Sequence, residues 1–316
     1  MRMADTHDSD CLHRFDFEHL PIRGLLIHMD ASWTALHEHR DYPPLIQKTL
    51  GESVVAAVLL AATIKFDGQL TFQLKGDGPM HLLLAQCTAG LGVRGLARFR
   101  ATELPMDDEA TLQNLVGEGH LTVTLESEDL QQRYQGVVPI MKGQLAQCLE
   151  AYFEQSEQLP TRLWLHADER GVAGMLLQRL PVSQATRQTK SALSEGQGFE
   201  PHYDDDWHRL QMIADTLRPE ELSQLADRDI LRRLFSEDDL RLFDSMPVYF
   251  KCRCSRERVS GMLQALGHEE AASVLAEQGK VEVLCDFCNR AYVFDAVDVA
   301  QLFTGSSANL GTPQRH

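Results

Sequence analysis

The sequence predicts an α+β protein: an N-terminal domain with a mostly antiparallel sheet and packed helices, a helical linker, and a small C-terminal module. Three observations carry this. Strand-like runs come in series with helices interspersed and no regular βαβ period, the pattern of an antiparallel α+β domain. A polar stretch rich in Gly, Ser and acids at 183–206 then separates these runs from a charged segment with helical apolar spacing. Finally, Cys252 and Cys254 form a C-x-C pair, Cys285 and Cys288 a C-x-x-C pair, and thirty residues separate them.

Taken in order, Ile22 to Met29 reads as a strand, and Asp30 as the cap of a short helix carrying Trp33 and Leu36. The chain breaks at Asp41-Tyr-Pro-Pro44, and a long helix follows to about Lys65. Its apolar run, Val54 to Ile64, is too short to span a bilayer and reads as a buried helix. Turn residues at Asp67-Gly68 and at 75–79 flank strands at Gln69 to Leu74 and Met80 to Cys87. Further strands are expected at Val93 to Arg100, Leu121 to Leu125, Arg133 to Ile140, Arg162 to His166 and Gly174 to Leu180. A helix is expected over Gln144 to Gln158, where Leu145, Cys148, Leu149, Tyr152 and Phe153 share one side. The domain is taken as 1–182.

The linker is read as 183–247, flexible first and then helical. From Trp207 onward, Leu210, Ile213, Leu217, Leu231, Leu234, Phe235, Leu240 and Phe243 recur at helical spacing among many acids and arginines. Such short helices bury too little apolar surface to stand alone. They must lean on the rest of the protein, which makes this segment a candidate switch and candidate client surface.

The module is read as 248–305, followed by a disordered tail at 306–316. Ser255 caps a helix ended by Gly267; a second helix stops at Gly279; Val281 and Val283 lead into the Cys285-Asp-Phe-Cys288 knuckle. A unit of about 55 residues has a marginal core and usually needs a staple. Two close cysteine pairs supply four thiolates for tetrahedral Zn²⁺. A purely structural site is the plain alternative. Lys251, Arg253, Arg256, Arg258 and Arg290 can offset the charge of four thiolates and keep them reactive toward oxidants. A bridge between residues two apart would be strained and readily reduced.

Composition narrows the remaining classes. With 43% apolar and 24% charged residues the chain is a soluble globular protein. Its formal charge of −16 opposes nucleic-acid binding. No signal peptide is visible at the start, so a cytoplasmic location is expected, where thiols stay reduced. Cys87 and Cys148 are expected in the core, and Cys11 in an exposed, reactive tail. Gly90-x-Gly92-x-x-Gly95 matches a dinucleotide fingerprint, but a strand and loop follow it rather than a helix. A thioredoxin-like role for Cys285-x-x-Cys288 conflicts with its apparent hairpin.

The run Phe250-Lys-Cys-Arg-Cys-Ser-Arg-Glu-Arg258, with Cys285-Asp-Phe-Cys288 and Tyr292-x-Phe294, closely resembles the thirty-three-kilodalton heat-shock protein family, redox-regulated holdase chaperones of bacteria. Lys65-Phe-Asp-Gly68, Gly76-Asp-Gly-Pro-Met80, Arg133-Tyr-Gln-Gly-Val137, the Glu154 to Thr161 run and Gly174-Met-Leu-Leu-Gln178 extend the resemblance over nearly the whole chain. The resemblance implies an ATP-independent chaperone rather than an enzyme. It implies one Zn²⁺ per chain on Cys252, Cys254, Cys285 and Cys288 in the reduced, inactive form. Oxidation would give Cys252–Cys254 and Cys285–Cys288 disulfides, release zinc, unfold the linker and expose surface for unfolding client proteins. It further implies a homodimer when oxidised. The alternatives are a thiol–disulfide oxidoreductase and a zinc-stabilised interaction module without redox control.

Overall fold

The computed structural model describes residues 9–105, 110–127, 133–140, 143–181 and 203–304. The stretch expected to be flexible at 183–202 and the tail expected at 306–316 lie outside the described residues. The chain divides into two compact units: one holds residues up to His37 and Asp41–Lys251, the other Glu38–Arg40 and the chain from Cys252 onward.

Among the described residues, the first unit contains two six-stranded sheets. The first has β1 (Cys11–Phe17), β2 (Ile22–Met29), β9 (Val172–Arg179) and β8 (Thr161–Ala167) in that order, with β10 (Leu240–Leu242) and β11 (Met246–Pro247) on the outer edge of β1. The second runs β12 (Tyr249–Phe250), β5 (Gly92–Phe99), β4 (Met80–Thr88), β3 (Gly68–Gly76), β6 (Gly119–Ser127), β7 (Arg133–Pro139). Pairing among the described strands is antiparallel except for β12 on β5. The antiparallel α+β expectation therefore holds. Gly92 and Gly95 lie within β5, as the absence of a following helix required.

Helix α1 (Ala31–His37) precedes α2 (Pro44–Thr63), the centre of the main core. Pro44 opens α2 where its missing N–H costs nothing. Val54 to Ala61 are buried in one cluster with Leu25 and Ile27 of the first sheet and Leu70, Phe72 and Val93 of the second. Helix α2 is long and apolar enough to cross a membrane by length and composition, but most of that window is buried inside the protein. Its three hydroxyls are satisfied within the helix: Thr49 Oγ1 donates to Leu45 O at 2.8 Å, Ser53 Oγ to Thr49 O at 2.7 Å and Thr63 Oγ1 to Leu60 O at 2.7 Å. Helix α3 (Leu112–Val116) is a short turn that periodicity had not marked. Helix α4 (Leu145–Tyr152) ends in a wider π turn over Phe153–Glu157 and buries Leu145, Cys148 and Leu149.

The first sheet is buried on both faces. Leu25, Ile27 and Met29 face the main core, whereas Ile22 and Leu26 belong to a second cluster with Phe15, Phe17, Met175 and Leu177. This explains the unbroken apolar run of β2, which a half-exposed strand would interrupt. One close approach sets the packing: a Cβ at Gly24 would lie 2.0 Å from Phe15 Cζ. Gly24→Val is therefore expected to cost about 1–3 kcal/mol by overpacking, read as a lower urea midpoint at unchanged slope.

The cover for that second face is the segment expected to be a weakly held linker. Helices α5 (Tyr203–Ala214), α6 (Pro219–Gln224) and α7 (Asp227–Phe235) bury Trp207, Leu210, Leu217, Leu222, Ile230, Leu231, Leu234 and Phe235 against it. Phe17 and Phe235 meet edge to face at 5.2 Å between centroids. Arg209 forks onto both Asp238 oxygens at 2.6 and 3.0 Å, and Arg162 reaches Asp215 at 3.3 Å. The segment then closes as β10, β11 and β12. Tyr249 and Phe250 pair with Gly92 and Val93, and the first unit runs through Lys251.

Cys11 corrects one expectation. It is buried, the first residue of β1, paired with His28 on one side and Pro247 on the other. The tail reading failed because β1 gains its burial from β10 and β11, which follow it by more than two hundred residues. Cys87 and Cys148 are buried as expected.

Candidate metal centre

The second unit is built from α8 (Arg256–Leu266), α9 (His268–Gln278), the hairpin β13 (Val281–Leu284) and β14 (Ala291–Phe294), and α10 (Ala296–Thr304). Ser255 caps α8 by accepting from Arg258 N at 3.3 Å. Gly267 and Gly279 leave α8 and α9 at φ 105° and 72°, the left-handed region where glycine is tolerated. The buried core is small: Val259, Leu263, Ala271, Val281, Tyr292, Phe294 and Val299, with Cys254 and Cys285 at its margin.

The two cysteine pairs arrive from two directions. Cys252 and Cys254 lie on the extended chain before α8, and Cys285 and Cys288 on the loop joining β13 to β14. Asn289 turns that loop at φ 54°, donating its N–H to Cys285 O at 2.8 Å, while Cys285 N–H donates to Arg290 O at 3.0 Å. The four sulfurs all lie within 4.8 Å of one another. Across the pairs, Cys252 Sγ and Cys285 Sγ are 3.6 Å apart, and Cys254 Sγ and Cys288 Sγ 3.4 Å. Tetrahedral Zn–S bonds of about 2.3 Å set sulfurs about 3.8 Å apart, so the donor set and spacing fit a zinc ion. No disulfide joins any of the seven cysteines, all of which are among the described residues.

Tyr292 is a site residue that sequence reasoning placed on a strand without assigning it a role. Its hydroxyl donates to Cys254 Sγ at 3.1 Å. Burial opposes ionisation of Cys254, but hydrogen bonds from Tyr292 and the neighbouring thiols outweigh it and bring its pKa to about 7. Burial pushes the Cys252 and Cys288 thiols up. Cys254 is thus readier to ionise than Cys252 and Cys288 beside it. The signal of Tyr292 in the sequence was the aromatic four residues beyond Cys288.

The five cations expected to offset thiolate charge divide. Arg290 is held charged by Tyr292 and, more weakly, by Cys288 and Cys254. Arg256 stacks 4.2 Å over the Phe294 ring and pairs with Asp298 at 2.8 Å, and Arg258 donates to Arg253 O at 2.7 Å. Those two hold the fold of the module. Lys251 belongs to the first unit, 5.9 Å over the Tyr249 ring.

The expected client-binding residues are largely covered in this state. Leu210, Leu217, Leu231, Leu234 and Phe235 are buried, and Ile213 and Leu240 are partly buried against the same cluster. Phe243 is half-buried beneath the Arg241 guanidinium, 5.0 Å from the ring centroid.

Comparison with known proteins fixes the relationship. The family model described as "Hsp33 protein" matches residues 10–295. This chain belongs to the Hsp33 family. Relatives named "33 kDa chaperonin" from Methylobacillus flagellatus and Nitrosococcus oceani are each 42% identical to it, over 98% of this chain and 99% and 100% of theirs. A crystal structure of a 33 kDa chaperonin, heat shock protein 33 homolog, from Thermotoga maritima superposes with a TM-score of 0.76 at 23% identity, over 95% of this chain and all of that one. At that identity the likeness shows a shared Hsp33 fold, including the mixed α+β architecture derived above.

Proposed function

We propose that this protein is a redox-regulated, ATP-independent holdase of the cytoplasm that binds unfolding client proteins and prevents their aggregation under oxidative and heat stress. The observation that carries the reading is the meeting of four thiols within 4.8 Å at the margin of a module with seven buried core residues. Membership of the Hsp33 family and the chaperonin names of its relatives support it.

One Zn²⁺ per chain, bound by Cys252, Cys254, Cys285 and Cys288, would staple the module and hold its sulfurs as thiolates. One molecule of a two-electron oxidant such as hydrogen peroxide would take two electrons from each local pair of thiolates and two protons from solvent, leaving as two waters. The pairs become Cys252–Cys254 and Cys285–Cys288, closing the smallest loops and so demanding the least chain ordering. The module then loses its ligand set, and its small core is too weak to remain folded.

The layer of α5 to α7 is the last helical part of the first unit before the chain enters this module. Unfolding that layer uncovers the Phe15, Phe17, Leu26 and Met175 face together with the apolar sides of the helices, a surface suited to unfolded chains and to a second oxidised copy. An oxidoreductase reading is disfavoured because Cys285 and Cys288 sit in a hairpin loop rather than at a helix N-terminus.

The test compares reduced, zinc-loaded protein with protein treated with peroxide at mild heat. We expect zinc release, disulfide formation, and suppression of client aggregation only after oxidation, reversed by thiol reductant and zinc. Equal suppression in both states would sink the redox control.

A further inference from the structure

A second polar cluster lies far from the four cysteines, beneath the helical layer. Asp227, the first residue of α7, is buried, and Ala226 before it provides no side-chain cap. Asp227 Oδ2 lies 2.5 Å from His13 Nδ1 of β1 and its Oδ1 2.7 Å from His28 Nδ1 of β2. The other ring nitrogen of His28, Nε2, lies 2.5 Å from the carbonyl oxygen of Leu222 in α6. Strands β1 and β2 are thereby tied to α6 and α7 of the layer.

The proton inventory follows from these partners. A carbonyl oxygen only accepts, so His28 Nε2 must carry hydrogen. His28 Nδ1 stands 2.7 Å from Asp227 Oδ1 without the alignment of a hydrogen bond, and a buried carboxylate at that distance is balanced only by a charged ring, so the ring is an imidazolium. If it lost one proton, either the Leu222 carbonyl would face a nitrogen lone pair or the carboxylate would stand 2.7 Å from an uncharged ring. The buried ion pair would then be lost at a place that water cannot reach to relieve.

We propose that His13, Asp227 and His28 form a proton-held lock that fastens α6 and α7 to the first sheet, and that deprotonation of His28 loosens this layer without any change at the four zinc-site cysteines.

The surrounding charges agree with this. Burial works against the His28 cation, but Asp227, the Leu222 carbonyl and Asp30 outweigh it and raise its pKa. Burial likewise opposes the Asp227 anion, and the two histidines outweigh it, holding its pKa at about 2. The other groups facing the cluster are the Cys11 thiol, 3.8 Å from His13 Nδ1, and, along a narrow cleft that His28 lines, Asp168 and Arg170. The sign follows by linkage. His28 is raised on folding, so its contribution is complete below about pH 6.5 and is lost as pH rises through the folded value. Asp227 is lowered, so its contribution is present above about pH 4 and is lost as pH falls toward 2.

Cys11, His13 and Asp227 also cluster in the manner of metal ligands. The spacing argues against a cation: tetrahedral zinc sets nitrogen and oxygen donors about 3.3 Å apart, whereas His13 Nδ1 and Asp227 Oδ2 are 2.5 Å apart, a hydrogen-bond length.

The test uses the full-length, reduced, zinc-loaded protein and reads docking of residues 203–251 rather than chaperone activity. Its failure leaves the redox reading intact, and failure of the redox reading leaves the lock intact. Ring ¹⁵N resonances of labelled histidine, assigned with His28→Gln, are expected to show both His28 nitrogens protonated at pH 7. Opening of the layer, followed by Trp207 fluorescence and urea titration from pH 6 to 9, should rise about tenfold for each pH unit by which folding raises the His28 pKa. His28→Gln and Asp227→Asn should open more readily at pH 6 and flatten the profile. If these variants do not fold, the wild-type titration and the ring resonances still decide. A neutral His28 at pH 7, a wild type that opens no more at pH 9 than at pH 6, or a second equivalent of zinc dependent on Cys11 and His13 would overturn the lock.

Discussion

Replacing Cys288 with serine is expected to abolish the fold of the C-terminal module while leaving the main core of the first unit, around α2, folded. Cys288 is the buried member of the four, 3.4 Å from Cys254 across the site. Serine is a poor zinc ligand, and structural Zn²⁺ supplies about 10–16 kcal/mol of apparent binding free energy in small zinc domains. Even outer-shell partners of a metal site are worth roughly 10–100-fold in affinity, so loss of a ligand should exceed that. The seven-residue core of the module cannot replace such a term. The checks are zinc stoichiometry, expected to fall from one toward zero, and proton NMR, expected to lose the dispersed signals of residues 256–304. A variant that keeps both a stoichiometric metal and a folded module would remove zinc from the account. The same treatment with a chelator should reproduce the effect in the unaltered chain.

The second large effect lies in the helical layer. Phe235 is 2% exposed, packed edge to face on Phe17 and 6.2 Å from Phe15. Phe235→Ala should cost about 3–5 kcal/mol through lost transfer and an unfilled cavity. The expense falls on undocking of α5 to α7, because the main core around α2 does not include Phe235. The expected result is a reduced, zinc-loaded protein that binds a hydrophobic dye and partly suppresses client aggregation without oxidant. A Met212→Ala control, at a position 73% exposed, should change neither. If Phe235→Ala lowered global stability yet exposed no dye-binding surface, the layer would not be a separable cover.

Both expectations rest on features that differ in how far the sequence reveals them. The cysteine module is legible because its signals are local. Ser255, Gly267 and Gly279 bound its helices, and each cysteine pair sits within one short stretch of backbone. The strands β2 to β9 and helices α1, α2 and α4 are legible for the same reason, since apolar periodicity is written in neighbouring residues. The three strands β10, β11 and β12 are two or three residues long, and no periodicity can develop over that length. They exist because β1 and β5 offer unpaired edges, which is a property of the assembled sheets.

Cys11 and the histidines show the same limit from the side of chemistry. His13, His28 and Asp227 carry no motif, and up to 214 positions of sequence separate them. Only docking of α7 on β1 and β2 makes them a cluster, and only their burial gives them an electrostatic consequence. Arg256 and Arg290 looked equivalent as basic neighbours of the cysteines. Tertiary packing assigned one to Phe294 and Asp298 and left the other facing the thiols.

The sequence by itself determined the two pairs of thiols, the module that brings them together, the antiparallel α+β domain, and the dependence of 207–250 on a partner surface. Each of these follows from residues close in the chain, where helix, strand and turn preferences act. Only the tertiary structure decided what that partner surface is. It is the outer face of the first sheet, closed by an aromatic cluster and by one carboxylate held between two imidazoles. Contacts of that kind depend on the mutual burial of distant side chains, and no local pattern specifies burial.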